Sequence, residues 1–184
     1  PEGEDSWSEL DVMFATTRGT VRRNKLSDFV QVNRNGKIAM KFDEEGDAIL
    51  AVETCTELDD VLLIADSGQC IRFPTTDVRV FKGRDSLGVR GMALGANDRA
   101  IAMAILHHVD ATPAERAAYL KQSVLERKLA GGQGEDEEIA LTNEDVGEET
   151  TLGQERYEEL KAREEFVLTV TEFGYGKRSS SYDF

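Results

Sequence analysis

Basic side chains are the residues of this chain whose types and spacing could do chemistry. Arg22-Arg23 follows one turn glycine, Arg72 follows a second, and Lys177-Arg178 follows a third. Because equivalent residues of a repeat protein line one surface, we expect these groups to form a row. Such a row suits the backbone of duplex DNA, which carries one negative charge about every 1.7 Å along its axis. Base-edge readers are not evident, so the pattern indicates sequence-tolerant phosphate binding.

Side chains that catalyse reactions or bind metals are scarce. The histidines, His107-His108, are adjacent, and adjacent residues of a strand point to opposite faces, so a shared metal is not expected. The acidic group Asp43-Glu44-Glu45 precedes Gly46 and is interpreted as a solvated hairpin tip. No glycine-rich loop stands between a strand and a helix to bind phosphate. We therefore expect that this chain is not an enzyme and holds no cofactor or metal.

The overall composition hides a segregated charge pattern. The 184 residues suffice for one ordinary domain or two small ones, and their net charge is −14. Residues 107–165 hold 16 acidic and 7 basic residues, a net charge of −9, which leaves the rest of the chain at only −5. The acidic sum therefore does not exclude nucleic acid as a partner.

The compartment is predicted from what the sequence lacks. No apolar run approaches the roughly 20 residues of a membrane helix, so no membrane association is expected. The chain begins at Pro1 without an initiator Met or a signal peptide, which indicates a piece of a larger cytoplasmic protein. Cys55 and Cys70 lie in apolar, strand-like contexts and are expected to be buried, reduced thiols.

Three hairpins of similar sequence must position the basic groups. Each has an apolar run, a turn ending in glycine (Gly19, Gly68 or Gly174) and a second run ending in Arg or Lys. A second element repeats between them, over 36–52 and again over 88–103. Four strands per unit of about 50 residues is typical of propeller blades. The predicted order is an acidic linker or incomplete preceding blade (1–9), blade repeats (10–58 and 59–106), an acidic helical insertion (107–165) and the first hairpin of a further blade (166–184).

The insertion carries helix signals. Thr112-Pro113-Ala114-Glu115 is a capping box, and it predicts a helix from Pro113 to about Ala130 that ends at Gly131-Gly132. An acidic loop over 133–149 and a second helix over about 152–164 follow. The apolar stripe of the first helix is predicted to be Ala117, Leu120 and Val124, with Leu125 as a further candidate.

The repeat segments resemble the C-terminal domain of bacterial DNA gyrase A, a type IIA topoisomerase component. The resemblance rests on residues 14–23, 88–95 and 174–178, and it covers about 10–106 and 166–184. It implies an all-β fold, here a partial β-pinwheel with an inserted α-helical hairpin, whose basic rim wraps DNA and supports ATP-dependent negative supercoiling by the holoenzyme. The phosphate-contacting role of the family is carried over to eight residues: Arg22, Arg23, Lys37, Lys41, Arg72, Arg90, Lys177 and Arg178.

The resemblance also implies partners and shows departures. The implied partners are double-stranded DNA, the rest of gyrase A, and gyrase B in an A2B2 heterotetramer of the bacterial nucleoid, with ATP and Mg bound on other domains. The family's basic box in the first blade and its catalytic tyrosine domain are absent from this chain. The acidic insertion is foreign to the gyrase pattern.

Alternative interpretations stay open at this point. The insertion would serve as a protein-interaction platform if its apolar stripe is exposed, or as a DNA-competing regulatory module through its net charge of −9. The corresponding C-terminal domain of topoisomerase IV has related but more degenerate repeats, and it is the alternative family.

Overall fold

The computed structural model describes residues 3–42, 45–129 and 152–184, which form two compact units. The first unit contains the residues up to His108 together with Phe184, and the second contains Val109–Asp183. The predicted acidic loop over 133–149, the helix end at Gly131-Gly132 and part of the acidic tip, Asp43-Glu44, lie outside the described residues.

The first unit is built from two antiparallel sheets. Its strands are Asp11–Thr16 (β1), Thr20–Lys25 (β2), Ile49–Cys55 (β3), Asp59–Ala65 (β4), Cys70–Pro74 (β5), Val89–Arg90 (β6) and Ala100–His107 (β7). One sheet has the order β3-β1-β2-β6, and the other has the order β5-β4-β7. The prediction of repeated antiparallel blades is confirmed, with four strands in the first blade and three described strands in the second.

The three predicted hairpin turns share one geometry. The turn glycines Gly19, Gly68 and Gly174 have φ values of 78°, 85° and 82°, a region in which a side chain is strained. In each turn the glycine N–H donates to the carbonyl three residues earlier, at 3.0, 2.9 and 2.9 Å. The structure therefore confirms that the sequence repeat is a structural repeat at the level of single residues.

Strand exchange links the two repeats of the first unit. β6 belongs to the second repeat in sequence, yet it pairs with β2 of the first, with Thr20 opposite Arg90 and Val21 opposite Val89. The amides of Gly91 and Met92 both donate to the Gly19 carbonyl, at 2.9 and 3.1 Å. The first blade is thus completed by residues almost 70 positions later in the chain.

The first-repeat counterpart of β6 does not form a strand. Residues 36–42 alternate between apolar and basic side chains, which predicted a strand, but their backbone is irregular. Within the described residues no other strand pairs with this segment, and a strand without a ladder partner has no hydrogen bonds to hold it. The strand prediction over 88–94 is likewise too long, because only Val89–Arg90 are paired.

Apolar burial explains why β1 and β4 form the centres of their sheets. β1 is buried along its whole length, with Met13 and Ala15 in one core cluster and Val12 and Phe14 in another. From β4, Val61, Leu63 and Ala65 join the cluster of Met13. Strands buried on both faces read as nearly continuous apolar runs, as these two do.

The second unit contains the two predicted helices and the third hairpin. Its elements are the helices Pro113–Leu129 (α1) and Gln154–Arg163 (α2), the strands Phe166–Val170 (β8) and Gly176–Ser180 (β9), and a 3-10 turn over Ser181–Asp183. The capping box is formed, because the Thr112 amide donates to Glu115 Oε2 at 2.8 Å and the Glu115 amide donates to Thr112 Oγ1 at 3.2 Å. In the described parts of the chain no helix is long and apolar enough to span a membrane.

Tyrosines form the core of the second unit. Tyr119, Tyr157 and Tyr182 are buried together, with ring centroids of Tyr119 5.1 Å from Tyr157 and 5.2 Å from Tyr182. The predicted stripe is therefore only partly right: Leu120 packs on the tyrosine cluster and Val124 is half-buried, but Ala117 and Leu125 are exposed. A tyrosine ring is a large apolar surface with a polar end, so a stripe drawn from aliphatic residues alone missed it.

The close approach of β6 to β2 gives a first testable prediction. A Cβ at Gly88 would overlap the carbonyl oxygen of Val21 and lie 2.7 Å from Thr20 Cγ2. Gly88→Ala is expected to lower the free energy of unfolding by about 1–3 kcal/mol, since a rigid backbone must shift. Urea denaturation followed by circular dichroism measures the loss.

Gly95→Ala is the matched control for this substitution. A Cβ at Gly95 would meet nothing nearer than Asp98 Cβ at 3.9 Å, an ordinary contact. Equal stability of the two variants would show that the strand exchange does not constrain this backbone.

Candidate nucleic-acid interface

Three cations of the first unit line one cavity of about 620 Å³. Arg18 lies in the β1–β2 turn, Lys41 in the irregular segment before residue 43, and Arg90 on β6. The strand exchange brings them together, because Arg90 stands opposite Thr20, which also lines the cavity. We call this feature the basic cavity.

Among the described residues, the carboxylates that also line the basic cavity are Asp47 and Asp98, and both accept hydrogen bonds within the fold. Asp47 accepts hydrogen bonds from Thr17 Oγ1 and from the amides of Arg18 and Ala48, at 2.9–3.1 Å. Asp98 accepts from Ser67 Oγ at 2.7 Å and from two amides, and the Ser67 hydroxyl lowers the pKa of this carboxyl. Both carboxylates cap the turn of a hairpin, whereas Lys41 and Arg90 extend into solvent.

Of the eight predicted phosphate contacts, the structure brings Lys41 and Arg90 together in this cavity. Sequence reasoning noted Arg18 among the basic groups but did not select it. The signal was its place directly before the turn glycine of the repeat. The repeated Asp47 and Asp98, each about 30 residues after the turn that it caps, were also missed.

Arg22 is fully buried, so its predicted place on an exposed rim is wrong. Its guanidinium donates to the carbonyls of Gly83 and Ser86, and its Nε donates to Asn24 Oδ1 at 2.7 Å. The guanidinium also lies over the Phe81 ring at 4.9 Å. Burial lowers the pKa of Arg22, against the opposing charge of Asp85. Arg22 therefore anchors the loop that leads into β6.

Arg23 is also buried, so the same prediction is wrong for it. Its Nε lies 2.8 Å from Asp11 Oδ2, and one of its terminal nitrogens donates to the Thr75 carbonyl at 2.8 Å. Lys25 approaches the other oxygen of Asp11 at 2.7 Å, and Glu57 adds an ion pair at the surface. This group of charges holds β1, β2 and the turn after β5 together.

The other four predicted contacts are dispersed. Arg72 pairs with Asp60 at 2.8 Å and its side chain is 11% exposed, while Lys37 donates to the carbonyls of Asp28 and Gln31. Lys177 and Arg178 are exposed on β9 of the second unit. Whether these exposed cations touch DNA stays a prediction.

The adjacent histidines each bind a separate carboxylate. His107 Nδ1 lies 2.9 Å from Asp59 Oδ1, and His108 Nδ1 lies 2.8 Å from Asp60 Oδ1. Asp59 also accepts hydrogen bonds from the amide and hydroxyl of Thr56. These carboxylates therefore stabilise one end of the sheet that contains β4 and β7. Within the described residues, no group of three His, Cys, Asp or Glu side chains could hold a metal ion.

Comparison with known proteins identifies the family to which this sequence belongs. The profile of the family described as "DNA gyrase C-terminal domain, beta-propeller" matches residues 10–56, 59–107 and 165–184. The DNA gyrase A protein of Granulibacter bethesdensis is 46% identical over 190 residues, and that of Rickettsia bellii is 44% identical over 184 residues. Each match covers 100% of this chain, and the chain spans about one fifth of the length of these relatives.

One solved structure supports the fold independently. The C-terminal domain of DNA topoisomerase IV aligns with a TM-score of 0.51 and 18% identity, over 55% of this chain and 31% of that chain. At this identity the likeness concerns the fold alone. The sequence relatives, by contrast, are gyrase A proteins, so they favour gyrase over the alternative family of topoisomerase IV.

The buried charges give a second testable prediction. Asp11→Asn removes the buried carboxylate from the Arg23 guanidinium and leaves it the exposed Glu57, since the side chains of Asp11 and Arg23 are only 1% and 4% exposed. We expect a loss of about 3–5 kcal/mol in the free energy of unfolding, measured by urea denaturation. Asp66→Asn is the control, since Asp66 and Arg99 are 58% and 68% exposed, and its cost is expected below about 1 kcal/mol. Comparable losses would contradict the role assigned to Arg23.

The cysteines give a third prediction, because one of them differs from expectation. Cys55 is buried as predicted, and burial together with Asp11 raises the pKa of its thiol to about 12. Cys70 is exposed instead, at the start of β5. Since the thiolate is the reactive form, a thiol reagent at about pH 8 is expected to modify Cys70 alone. The Cys70→Ser variant should then show no fast reaction until denaturant is added; a fast reaction in that folded variant would disprove the burial of Cys55.

Proposed function

Because the chain belongs to the family of DNA gyrase C-terminal domains, we propose that it binds duplex DNA through phosphate contacts made by exposed cations. The basic cavity is the observation that carries the proposal. It presents Arg18, Lys41 and Arg90 on one surface, while the carboxylates beside them accept hydrogen bonds from the fold. No ordered side-chain reader of base edges is needed for such binding, which is governed by charge and shape.

The buried arginines are not part of the proposed DNA contact but hold the strands beneath it. Arg22 and Arg23 supply positive charge that the fold uses internally, so they are not part of the contact. Arg22 holds the loop before β6 and thereby helps to position Arg90, whereas Arg23 holds β1, β2 and the turn after β5 together. The DNA contact then depends on a few exposed cations on a rigid support.

In the parent protein, this binding would wrap DNA. We place the chain in gyrase A, which would act with gyrase B as an A2B2 heterotetramer in the bacterial nucleoid. The parent protein would couple ATP hydrolysis to negative supercoiling, with ATP and Mg bound on other domains. The chain itself would contribute no catalytic residue and no cofactor. These assignments are supported by the similarity of this chain to a segment of gyrase A proteins that is about one fifth of their length.

The alternative roles of the insertion remain proposals with less support. On α1, Leu120 packs within the second unit, which removes one member of the predicted docking stripe. Several helix carboxylates are paired as well: Glu115 and Glu159 with Arg156, and Glu126 with Lys161. A protein-interaction or DNA-competing role would therefore have to rest on other residues of the insertion.

The proposed contact gives a fourth testable prediction. Lys41→Ala and Arg90→Ala each remove one phosphate contact, so each should reduce the slope of log K against log salt by about 0.9. If the plots of log K against log salt for variant and wild type meet near 1 M salt, this difference in slope corresponds to roughly eightfold weaker binding at about 0.1 M salt. Fluorescence anisotropy of a labelled linear duplex, titrated at several salt concentrations, measures both quantities.

Lys128→Ala is the control for these two variants. Lys128 is exposed on α1 and does not line the basic cavity, so its removal is expected to leave the slope unchanged. If wild-type protein binds the duplex but all three variants keep the same slope, the contact lies elsewhere. Absence of binding by the wild-type chain at low salt would refute the proposed function.

A further inference from the structure

Two aromatic side chains stand at the tip of the β8–β9 hairpin in the second unit. Phe173 is 85% exposed and Tyr175 is 77% exposed. Single exposed apolar side chains are ordinary on a protein surface, but clustered ones mark interaction sites, and here two rings flank one turn glycine. We call Phe173 and Tyr175 the aromatic tip.

The backbone beneath the aromatic tip is well held. The Gly174 amide donates to the Thr171 carbonyl at 2.9 Å, and the Thr171 amide donates to the Tyr175 carbonyl at 2.8 Å. The Tyr175 amide also donates to Thr171 Oγ1 at 3.1 Å. A ligand that contacts these rings therefore does not have to order the turn first.

The exposure of Phe173 agrees with its place in the repeat, whereas Thr20, the equivalent of Tyr175 in the first hairpin, is half-buried and pairs with Arg90. Phe173 occupies the position of Arg18 in the first hairpin and of Ser67 in the second, directly before the turn glycine. Both equivalents are exposed, although their hairpins pair with further strands on one or both sides. A missing neighbour is therefore not needed to explain why Phe173 faces solvent.

The equivalent turn positions of the first repeat line the cavity that is proposed to bind phosphate. Arg18 and Thr20, the equivalents of Phe173 and Tyr175, both line the basic cavity. The third repeat thus offers two ring faces where the first offers a guanidinium and a hydroxyl. This exchange replaces a surface suited to phosphate with one suited to flat apolar groups.

Cations accompany the aromatic tip along β9. Lys177 and Arg178 follow it on β9 and are exposed. Glu172, directly before Phe173, is an acidic neighbour of the tip. The Arg178 guanidinium carbon lies 3.5 Å from the centroid of the Phe166 ring, which holds this charge against the hairpin surface. Rings beside an excess of positive charge match a polyanion whose interior is a stack of flat bases.

We propose that the aromatic tip is a nucleobase-binding contact, in which Phe173 and Tyr175 stack on bases at a kinked or unpaired step of bound DNA. The proposal rests on the proposed DNA binding and adds a second mode to it. Stacking accepts every base because each has a π-face, so the contact senses deformation rather than sequence. Strongly bent DNA offers such steps, and apolar side chains that enter them favour the bend.

The test compares two probes and one double variant of this chain. The probes are a fully paired linear duplex and the same duplex with one unpaired base, where unstacking costs least. Phe173→Ala/Tyr175→Ala is expected to bind the unpaired-base probe about tenfold more weakly than wild type, as loss of stacking predicts. Its salt slope should equal that of wild type, because no phosphate contact is removed.

Two further variants make the result specific. Leu125→Ala removes a 57% exposed apolar side chain from α1 and should change neither affinity nor slope. Phe173→Arg installs the residue of the first repeat, and it should steepen the salt slope while reducing the preference for the unpaired base. Circular dichroism of each variant should match wild type, since the altered side chains are exposed.

Two outcomes would overturn the proposal. Unchanged affinity of the double variant for the unpaired-base probe would show that the rings touch no base, as expected if they meet a protein partner instead. A loss accompanied by a shallower slope would assign the contact to charge. In either case wild-type binding to the paired duplex, and its dependence on Arg90, would still support the proposed function; failure of wild type on both probes would refute both.

Discussion

The contact between β2 and β6 is the interaction on which the first unit depends. It joins a strand of one repeat to a strand of the next at a distance that only glycine permits, because a Cβ at Gly88 or Gly91 would collide with Val21. Gly88 and Gly91 therefore permit the close packing of the two backbones. The same contact closes the first sheet and sets Arg90 beside Arg18.

Buried charge supports this contact from within. Arg22 satisfies two loop carbonyls that no strand ladder reaches, and Asn24 adds hydrogen bonds to the carbonyls of Phe81 and Gly83 at 3.0 and 2.9 Å. Arg23 is held against Asp11 in the same strand pair. Moving such charged groups out of water costs much free energy. They are stable in the interior where their partners compensate the charge, and there they favour one arrangement of the chain. Here that arrangement is the strand exchange.

The second unit reaches stability by different means. Its helices pack through tyrosines whose hydroxyls donate to acceptors at the edge of the core: Tyr119 to Glu164, Tyr157 to Glu126 and Tyr182 to the Leu160 carbonyl. Burial, reinforced by the neighbouring glutamates, raises the pKa of Tyr119 and raises that of Tyr157 to about 12, so both stay neutral donors near neutral pH. Acidic composition and a packed core are therefore compatible in this insertion. Tyr182 joins the helices to the turn after β9.

Local pattern determined much of this protein from the sequence alone: the repeat, the three turn glycines, the capping box and the family. These features depend on residues a few positions apart, which is why Gly19, Gly68 and Gly174 could be aligned without coordinates. Tertiary structure decided which cations are exposed. Arg22 and Arg90 are both arginines of the repeat, but Arg22 meets carbonyls more than 60 residues away while Arg90 faces solvent. It also decided that residues 36–42 form no strand and that tyrosines, with Leu120 of the predicted stripe packed on them, form the core of the second unit. Burial and strand pairing are set by partners distant in sequence, and no local pattern contains them.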